Sequence, residues 1–210
     1  MAVPPTPSAL DTIADKAALR RGMRAARRAF VNELAVGECA TLEAALVRVL
    51  GKHLPPGIVA GYHAVGSEIG LGDMARVALW PRVVPGGPLT FHREAPCQPL
   101  PVAGLGAVLQ PAAGAPSGEP DIILVPLLAV TRYGVRLGQG GGHYDRTLAA
   151  LRARRDVLAV GIAWDMQLVD ALPADPWDAT LDALATPLGW RDSTRAQLLT
   201  FGVRSPKSPR

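Results

Sequence analysis

The hydrophobic and polar residues along the chain repeat with two periods, which predicts helices separated by buried strands. The predicted helices are Asp11–Phe30, 34–50, a short one at 70–79, and 143–154. The predicted strands are Ile58–Tyr62, Asp121–Pro126, Asp156–Ala163 and Leu184–Thr186, with shorter extended pieces at Pro81–Val84 and Leu89–Phe91. Strands separated by helices indicate an α/β fold with an open, mostly parallel sheet flanked by helices.

The same pattern predicts one domain with short tails. We expect a single domain over residues 11–202, with disordered Pro- and Ser-rich tails at 1–10 and 203–210. Residues 94–120, rich in Pro and Gly, are predicted to form a long surface excursion with little regular structure. Ligands of such sheets bind beyond the C-terminal ends of the strands, and a glycine-rich segment follows strand 121–126 there.

Composition narrows the class of protein. The chain is 49% hydrophobic and 19% charged, as in soluble globular proteins, and its net charge of +4 suits a polyanionic small molecule or a nucleic acid. No apolar run is long enough to span a membrane, and the N-terminus lacks the pattern of a secretory signal. Cys39 and Cys97 form neither a disulfide framework nor a metal pattern. We therefore expect a cytoplasmic protein with reduced thiols.

Four basic residues lie on one side of the first predicted helix. Lys16, Arg20, Arg24 and Arg27 follow the spacing i, i+4, i+8, i+11, which places them in one stripe beside the apolar face. The stripe is either a solvated basic face or a clamp for phosphates or carboxylates in a cleft. Binding of nucleic acid is disfavoured, because no aromatic residues interleave with the basic ones.

The segment RYGVRLGQGGGHYDRTLAALRAR, Arg132 to Arg154, holds four glycines between Gly138 and Gly142. It is not a P-loop, because Lys-Ser or Lys-Thr is missing, and His143 stands where a dinucleotide fingerprint needs glycine. Successive glycines nevertheless allow positive φ and close backbone approach, and their N–H groups can cradle an anion at a helix N-terminus. The loop is predicted to bind an anion beside the cation Arg136, and the alternative is a simple glycine-rich turn.

Acidic residues near this loop are candidate metal ligands. Asp145 lies in the first turn of the predicted helix, where the dipole stabilises a carboxylate whatever its function. Beside bound phosphates, one or two carboxylates commonly hold Mg²⁺. Asp175, Asp178 or Asp182 could supply the second carboxylate or could cap a turn. His143 is a candidate base or a hydrogen-bonding wall residue.

Three parts of the chain resemble one family. The stretch ILVPLLAVTRYGVRLGQGGGHYDRTLA resembles the signature of the 5-formyltetrahydrofolate cyclo-ligase (5,10-methenyltetrahydrofolate synthetase) family, which contains R-L-G-x-G-[GK]-G-[YF]-Y-D-R. Downstream, GIAWDMQLVDALPADPWDATLDALATPLGW is similar to the family's C-terminal pattern. Upstream, DKAALR is similar to its K-x-x-x-R, and Ser67-Glu68-Ile69 to its E-[IV] segment. The resemblance covers about residues 12–190.

The resemblance implies both a fold and a reaction. The fold is a single α/β domain of the ribose-5-phosphate isomerase/CoA-transferase-like type. The reaction is the cyclisation of 5-formyltetrahydrofolate to 5,10-methenyltetrahydrofolate, with ATP and Mg²⁺ required and ADP and phosphate released. It proceeds through a phosphorylated formyl intermediate. We accordingly expect a reduced folate as the small-molecule substrate, a monomeric enzyme, and no nucleic-acid or membrane partner.

The resemblance also implies roles for individual residues. The implied ATP-binding residues are Lys16, Arg20, Arg136, Leu137, Gly138, Gln139, Gly140, Gly141, Gly142, His143 and Tyr144. The implied substrate-binding residues are Glu68, Gln139, Gly140, Gly141, Gly142 and His143. Arg136, Tyr144 and Glu68 are implied to be catalytic, and Asp145 and Asp178 to hold Mg²⁺.

The chain departs from the family pattern at three places. His143 replaces the usual Tyr or Phe, and Gly141 stands where many members have Lys. The segment MARVALWPRV is about ten residues shorter than the helix and strand that the family usually has there. We expect this shortening to affect the folate-binding half of the site more than the ATP-binding half. Two other functions therefore stay open: a family paralogue acting on another formyl or acyl substrate, and a catalytically silent folate- or nucleotide-binding protein.

Overall fold

A central sheet of seven strands organises the protein, whose computed structural model describes residues 9–102 and 106–193, with side chains from residue 16 onward. The strands of this sheet are β1 (Val59–Ala60), β2 (Val77–Arg82), β3 (Thr90–His92), β6 (Ile122–Pro126), β9 (Leu158–Ile162), β10 (Ala183–Thr186) and β11 (Gly189–Asp192). Their order across the sheet is β11-β10-β9-β6-β1-β2-β3. The five inner strands are parallel, and both edge strands are antiparallel to their neighbours. The predicted mostly parallel α/β sheet is confirmed.

Two hairpins and three helices complete the part of the fold that the structure describes. The hairpins are β4 (Gln98–Val102) with β5 (Gly106–Gln110), and β7 (Ala129–Val130) with β8 (Arg136–Leu137). The helices are α1 (Ala9–Glu33), α2 (Glu38–His53) and α3 (His143–Arg152), and a 3₁₀ turn covers Asp165–Gln167. No helix of residues 9–102 and 106–193 is long and apolar enough to cross a membrane. The tails predicted at 1–10 and 203–210 lie almost wholly outside the described residues.

The core has two halves because successive residues of β6 point to opposite faces of the sheet. Ile122 and Leu124 join the half that packs against α2, whereas Ile123 and Val125 join the half that packs against α3. All four side chains are buried, as expected of an inner parallel strand with helices on both faces. Because β1 and β6 are parallel neighbours, the segments after both strands emerge at the same edge.

Two predicted elements are wrong. The short helix at 70–79 is not formed: residues 70–76 form turns, and β2 begins at Val77. Leu71 and Met74 are buried from turns, and Gly72 has a φ of +51° that a helix does not accept. The connection from β1 to β2, residues 61–76, therefore contains no helix.

The prediction of little regular structure over 94–120 is wrong as well, because β4 and β5 pair there in antiparallel fashion. Pro99 and Pro101 lie inside β4, opposite Leu109 and Ala107. In a two-stranded ribbon, alternate backbone N–H groups point away from the partner strand. Proline at every second position is therefore tolerated, as it is on edge strands.

Candidate functional site

The cationic stripe of α1 faces the interior of the protein. Among residues 16–33, whose side chains the structure describes in this helix, the two buried residues are Lys16 and Arg27. Arg20 and Arg24 are half-buried between them. A solvated basic face does not bury charged groups, so the geometry favours the clamp over the solvated face.

Lys16 is held between two carboxylates from the other end of the chain. Its Nζ donates to Asp175 Oδ2 and to Asp178 Oδ2, each at 2.6 Å. Burial alone would lower the pKa of Lys16, but the hydrogen bonds and charges of the two aspartates outweigh it and raise the pKa above its usual value. Lys16 is therefore a fixed cation at this end of the site.

The glycine segment Gly138–Gly142, here called the glycine loop, lies along α1. Arg20 Nε donates to the carbonyl oxygen of Gly138 at 3.1 Å, and Arg24 holds the side chain and backbone of Gln139. Gly140 has a φ of +103°, and a Cβ there would meet the Arg20 guanidinium at 3.4 Å. The loop thus needs glycine at this position for its backbone conformation, and a Cβ would make only an ordinary contact with α1.

The far end of the loop is fixed to the start of α3. Gly142 is the N-cap of α3, with a φ of +64°. Arg146, in the first turns of α3, donates to the Gly141 carbonyl at 2.9 Å and to the Gly87 carbonyl at 3.1 Å. Arg146 also lies 3.3 Å from His143 Nδ1, and burial followed by the charge of Arg146 lowers the pKa of His143. His143 is therefore neutral near pH 7.

Arg136 and Asp145 form a largely buried ion pair. Arg136 Nη2 donates to Asp145 Oδ1 at 2.7 Å, and the two side chains are 4% and 29% exposed. The other terminal nitrogen of Arg136 donates to the Ala179 carbonyl, and Ala179 N donates to Asp145 Oδ1 at 3.1 Å. Asp145 therefore lies next to Ala179, which directly follows Asp178 in the chain.

Glu68 is the most enclosed carboxylate of the site, with a side chain that is 6% exposed. Its Oε2 accepts from Val65 N at 3.1 Å, and its Oε1 accepts from Gln139 Nε2 at 3.2 Å. The Arg27 guanidinium lies 3.8 Å from Oε1. Burial raises the pKa of Glu68 above its usual value, while Arg27 and the two hydrogen bonds act in the opposite direction.

Two tyrosines lie near enough to this carboxylate for its charge to affect their pKa values. Tyr62 is buried and donates its hydroxyl to the Ile69 carbonyl at 2.6 Å. Tyr144 is half-buried against the α3 side of the core. Burial and the charge of Glu68 raise the pKa of both hydroxyls, so both are protonated donors throughout the physiological range.

A single cavity of about 720 Å³ connects these groups. One end carries the charged and glycine residues: Lys16, Arg20, Arg136, Gly138, Gly140, Gly141, Gly142, Asp145, Asp175 and Asp178. The rest of the lining, here called the apolar end, is more apolar and includes Tyr62, Val65, Pro81, Val83, Leu89, Pro96, Val102, Val108 and Leu109, together with Glu68, whose Oε2 accepts from Val65 N. Every site residue that the family resemblance implied lines this cavity, whereas Arg24, Arg27 and Asp182, which the sequence also offered as candidates, are not among its lining residues.

Several lining residues were not predicted from the sequence. The β4–β5 hairpin supplies part of the apolar end, and its role was hidden because residues 94–120 suggested a loop. Trp177 lines the charged end and is 73% exposed, and only its position between Asp175 and Asp178 could have indicated it. Arg146 could have been found from its spacing, since it follows Gly142 by one helical turn.

The acidic residues at the charged end fit a hard divalent cation. Among the described residues no group of three or more His, Cys, Asp or Glu could by itself hold a metal ion. Within the same part of the chain, Oδ2 of Asp145 and Oδ1 of both Asp175 and Asp178 accept no hydrogen bond. Mg²⁺ takes one or two carboxylates and completes its shell with water and substrate phosphates, so these oxygens suit it.

This combination defines an α/β domain with a cavity lined by glycines and charged side chains next to an enclosed carboxylate and apolar residues. The chain belongs to the 5-formyltetrahydrofolate cyclo-ligase family, whose family model matches residues 12–187.

Known proteins resemble this chain in sequence and in structure. A 5-formyltetrahydrofolate cyclo-ligase of Mycolicibacterium smegmatis is 50% identical over 70 residues, 33% of this chain and 35% of that relative. The matched segment thus spans about a third of that protein's length. The solved structures of the 5,10-methenyltetrahydrofolate synthetases of Mycoplasma pneumoniae and Aquifex aeolicus superpose with TM-scores of 0.63 and 0.64, at 25% and 26% identity. They cover 82% and 92% of this chain, and 99% and 96% of their own.

Proposed function

We propose that this protein uses ATP to cyclise 5-formyltetrahydrofolate to 5,10-methenyltetrahydrofolate, releasing ADP and phosphate. The observation that carries the proposal is one cavity whose lining combines charged and glycine residues with apolar residues and one enclosed carboxylate. The charged end suits a triphosphate, and the apolar end with one buried carboxylate suits a planar pterin with hydrogen-bonding groups. Because both ends open into the same space, a formyl oxygen and a γ-phosphate can meet there.

The proposed reaction has two steps. The formyl oxygen attacks the γ-phosphorus and ADP leaves, so the formyl oxygen becomes part of a phosphate ester. N10 of the folate then attacks the activated carbon, N10 loses its proton, and phosphate leaves with the former formyl oxygen. Phosphoryl transfer asks the protein mainly for positioning and neutralisation of charge.

The charged end serves the first step in this proposal. Backbone N–H groups of the glycine loop and the N-terminus of α3 bind phosphate oxygens, together with Arg20. Asp145 and Asp178 are the proposed holders of Mg²⁺, which neutralises phosphate charge when bound. Lys16 and Arg136 hold these two aspartates in place and approach the phosphates from the same end.

Glu68 and Tyr144 serve the second step. Glu68 binds the folate near the formyl group and N10, and its carboxylate is the proposed acceptor of the N10 proton. A carboxylate with a raised pKa is a stronger base than an ordinary one, which suits this role. Tyr144, a protonated donor facing Glu68, orients the same region of the folate. A monomeric state and a cytoplasmic location remain predictions.

The experiment that tests the function follows the absorbance of methenyltetrahydrofolate after mixing protein, 5-formyltetrahydrofolate and MgATP. We expect a signal that requires all three, with one ADP and one phosphate formed for each product molecule. Glu68→Gln should remove the signal, whereas Arg21→Met, on the exposed outer side of α1, should leave it unchanged. Absence of the signal with intact ATP binding in calorimetry would refute the cyclisation and favour the paralogue or the silent binder.

A further inference from the structure

Gln139 connects α1 to the buried carboxylate of Glu68. Arg24 Nε donates to Gln139 Oε1 at 2.8 Å, and Gln139 Nε2 donates to Glu68 Oε1 at 3.2 Å. Arg24 Nη2 also donates to the backbone carbonyl of Gln139 at 3.0 Å. A helix, the glycine loop and the segment after β1 are therefore joined by one short chain of hydrogen bonds.

The chemistry of the three groups fixes the direction of this chain. A guanidinium has only donors, so it holds the oxygen of the Gln139 amide and leaves the NH₂ group to face Glu68. A carboxylate accepts from that NH₂ group, and the bond favours its charged form. Without Arg24 the amide is free to rotate and present its oxygen to the carboxylate, which would repel it.

Other groups near Glu68 do not orient its carboxylate as Gln139 does. Arg27 is itself held by Ser67 Oγ and the Leu127 carbonyl, each at 3.1 Å, and it stays 3.8 Å from the carboxylate. The titratable and charged groups that face Glu68 are Arg27 from α1, Tyr62 and His63 from the segment after β1, and Tyr144 from α3. Among the described residues, hydrogen bonds reach Glu68 only from Val65 N and Gln139.

We propose that Arg24 is a positioning residue that acts through Gln139: it orients the Glu68 carboxylate and couples the glycine loop to the folate pocket. The inference rests on the proposed function for the identity of the ligands. Gln139 belongs to the loop that binds phosphates, so a loop held in place by nucleotide also holds the hydrogen bond to Glu68. Nucleotide binding therefore strengthens folate binding, and the reverse follows by linkage.

The test compares Arg24→Met, Gln139→Met, the double variant, and Arg21→Met as the matched control on the exposed side of α1. We expect each single variant to raise KM for 5-formyltetrahydrofolate about tenfold, the usual effect of losing a hydrogen bond to a charged group. The double variant should be no worse than either single one, because Arg24 acts through Gln139. Losses that simply multiply in the double variant would overturn the connection between the two residues.

A second readout separates positioning from a structural role. Carboxyl ¹³C titration of Glu68 in the ligand-free protein should show a higher pKa in both single variants than in the wild type. Gln139→Glu, which has nearly the same shape, should raise the Glu68 pKa further than Gln139→Met, because it faces one carboxylate with another. An unchanged Glu68 titration in all variants would overturn the proposal. A loss of stability alone would lower the melting temperature but would not make the Glu68 pKa rise from wild type to Gln139→Met to Gln139→Glu.

The two readouts also separate this inference from the proposed function. Turnover by the wild type together with unchanged Glu68 titration and folate KM in the variants would refute the positioning role and leave the function standing. No turnover by the wild type together with the expected titration shifts would refute the function and leave the positioning role standing. With turnover present, a non-hydrolysable ATP analogue should increase the affinity for 5-formyltetrahydrofolate in the wild type, and clearly less in Gln139→Met.

Discussion

Replacement of Asp145 separates its metal-binding role from its part in the ion pair. Asp145→Asn keeps Oδ1 as an acceptor for Arg136 Nη2 and for Ala179 N, and it removes only the charge. A hydrogen bond to a charged partner contributes about 1.5–3 kcal/mol and a neutral one about 0.5–1.5 kcal/mol, so the expected loss of stability is about 1–2 kcal/mol. For a domain of this size that corresponds to a fall in Tm of roughly 2–8 °C.

Asp145→Ala removes both bonds and leaves the Arg136 side chain, which is 4% exposed, without its charge partner. Breaking a buried pair by removing one partner costs about 3–5 kcal/mol. The two variants should differ in stability but should both lose most of their activity. Loss of a group that only orients a metal ligand costs about 10–100-fold, so loss of a ligand itself should cost more than about 100-fold in both variants.

The assay combines thermal unfolding with initial rates of methenyltetrahydrofolate formation over a Mg²⁺ titration. Asp182→Asn is the matched control, because Asp182 also accepts from an arginine and from a backbone N–H, at 2.6 and 2.8 Å, but does not line the cavity. We expect the control to lose stability and keep turnover. Unchanged turnover or Mg²⁺ dependence in Asp145→Asn would refute the metal assignment, and equal instability of the Asn and Ala variants would refute the stability reasoning.

Further predictions concern the two ends of the cavity. Lys16→Met should raise KM for ATP at least about tenfold, measured by initial rates, because it leaves two carboxylates without their shared cation beside the phosphates. The pH profile of kcat/KM should fall on its acid side at a pH above the ordinary carboxyl range, because burial raises the Glu68 pKa and the ionised form is the one that acts; a fall confined to the ordinary carboxyl range or below would contradict this role. The fluorescence of Trp177, an exposed side chain at the charged end, should change when MgATP binds; an identical change in Trp177→Phe would show that the signal comes from another tryptophan. Gly142→Ala should cost about 1–2 kcal/mol in denaturant unfolding, since the αL conformation at +64° disfavours a side chain, and no loss would indicate a rearranged N-cap.

The sequence was sufficient where one strong local signal decides the structure. Four consecutive buried aliphatic residues, Ile122–Val125, followed by Pro126, suit a short inner strand that is buried on both faces, and β6 is formed there. The run of glycines before His143 marks the start of α3, because a left-handed residue is needed at Gly142. The stripe of cations on α1 was visible too, since helical spacing alone places these residues on one side.

The pairing of distant groups was beyond the sequence. Nothing local distinguishes Asp175 and Asp178 from Asp182, yet the first two hold Lys16 and the third holds Arg152. The β4–β5 hairpin was missed because proline density indicates a loop unless the strand is known to lie in a two-stranded ribbon. In both cases the deciding interaction joins segments far apart in the chain, and periodicity carries no information about it.

The two buried cations of α1, Lys16 and Arg27, affect which elements of the protein unfold locally first. The described part of this helix is attached by polar contacts to the glycine loop and to the Leu127 carbonyl, as well as by apolar packing of Phe30 against Trp164. Elements with few buried apolar side chains open most easily, so the amides of α1 should exchange with solvent before those of β6. A ligand that binds only when the helix is attached would slow that exchange about a hundredfold at a concentration one hundred times its Kd. The rate of hydrogen exchange in α1 would then report the fraction of molecules whose cavity holds a ligand.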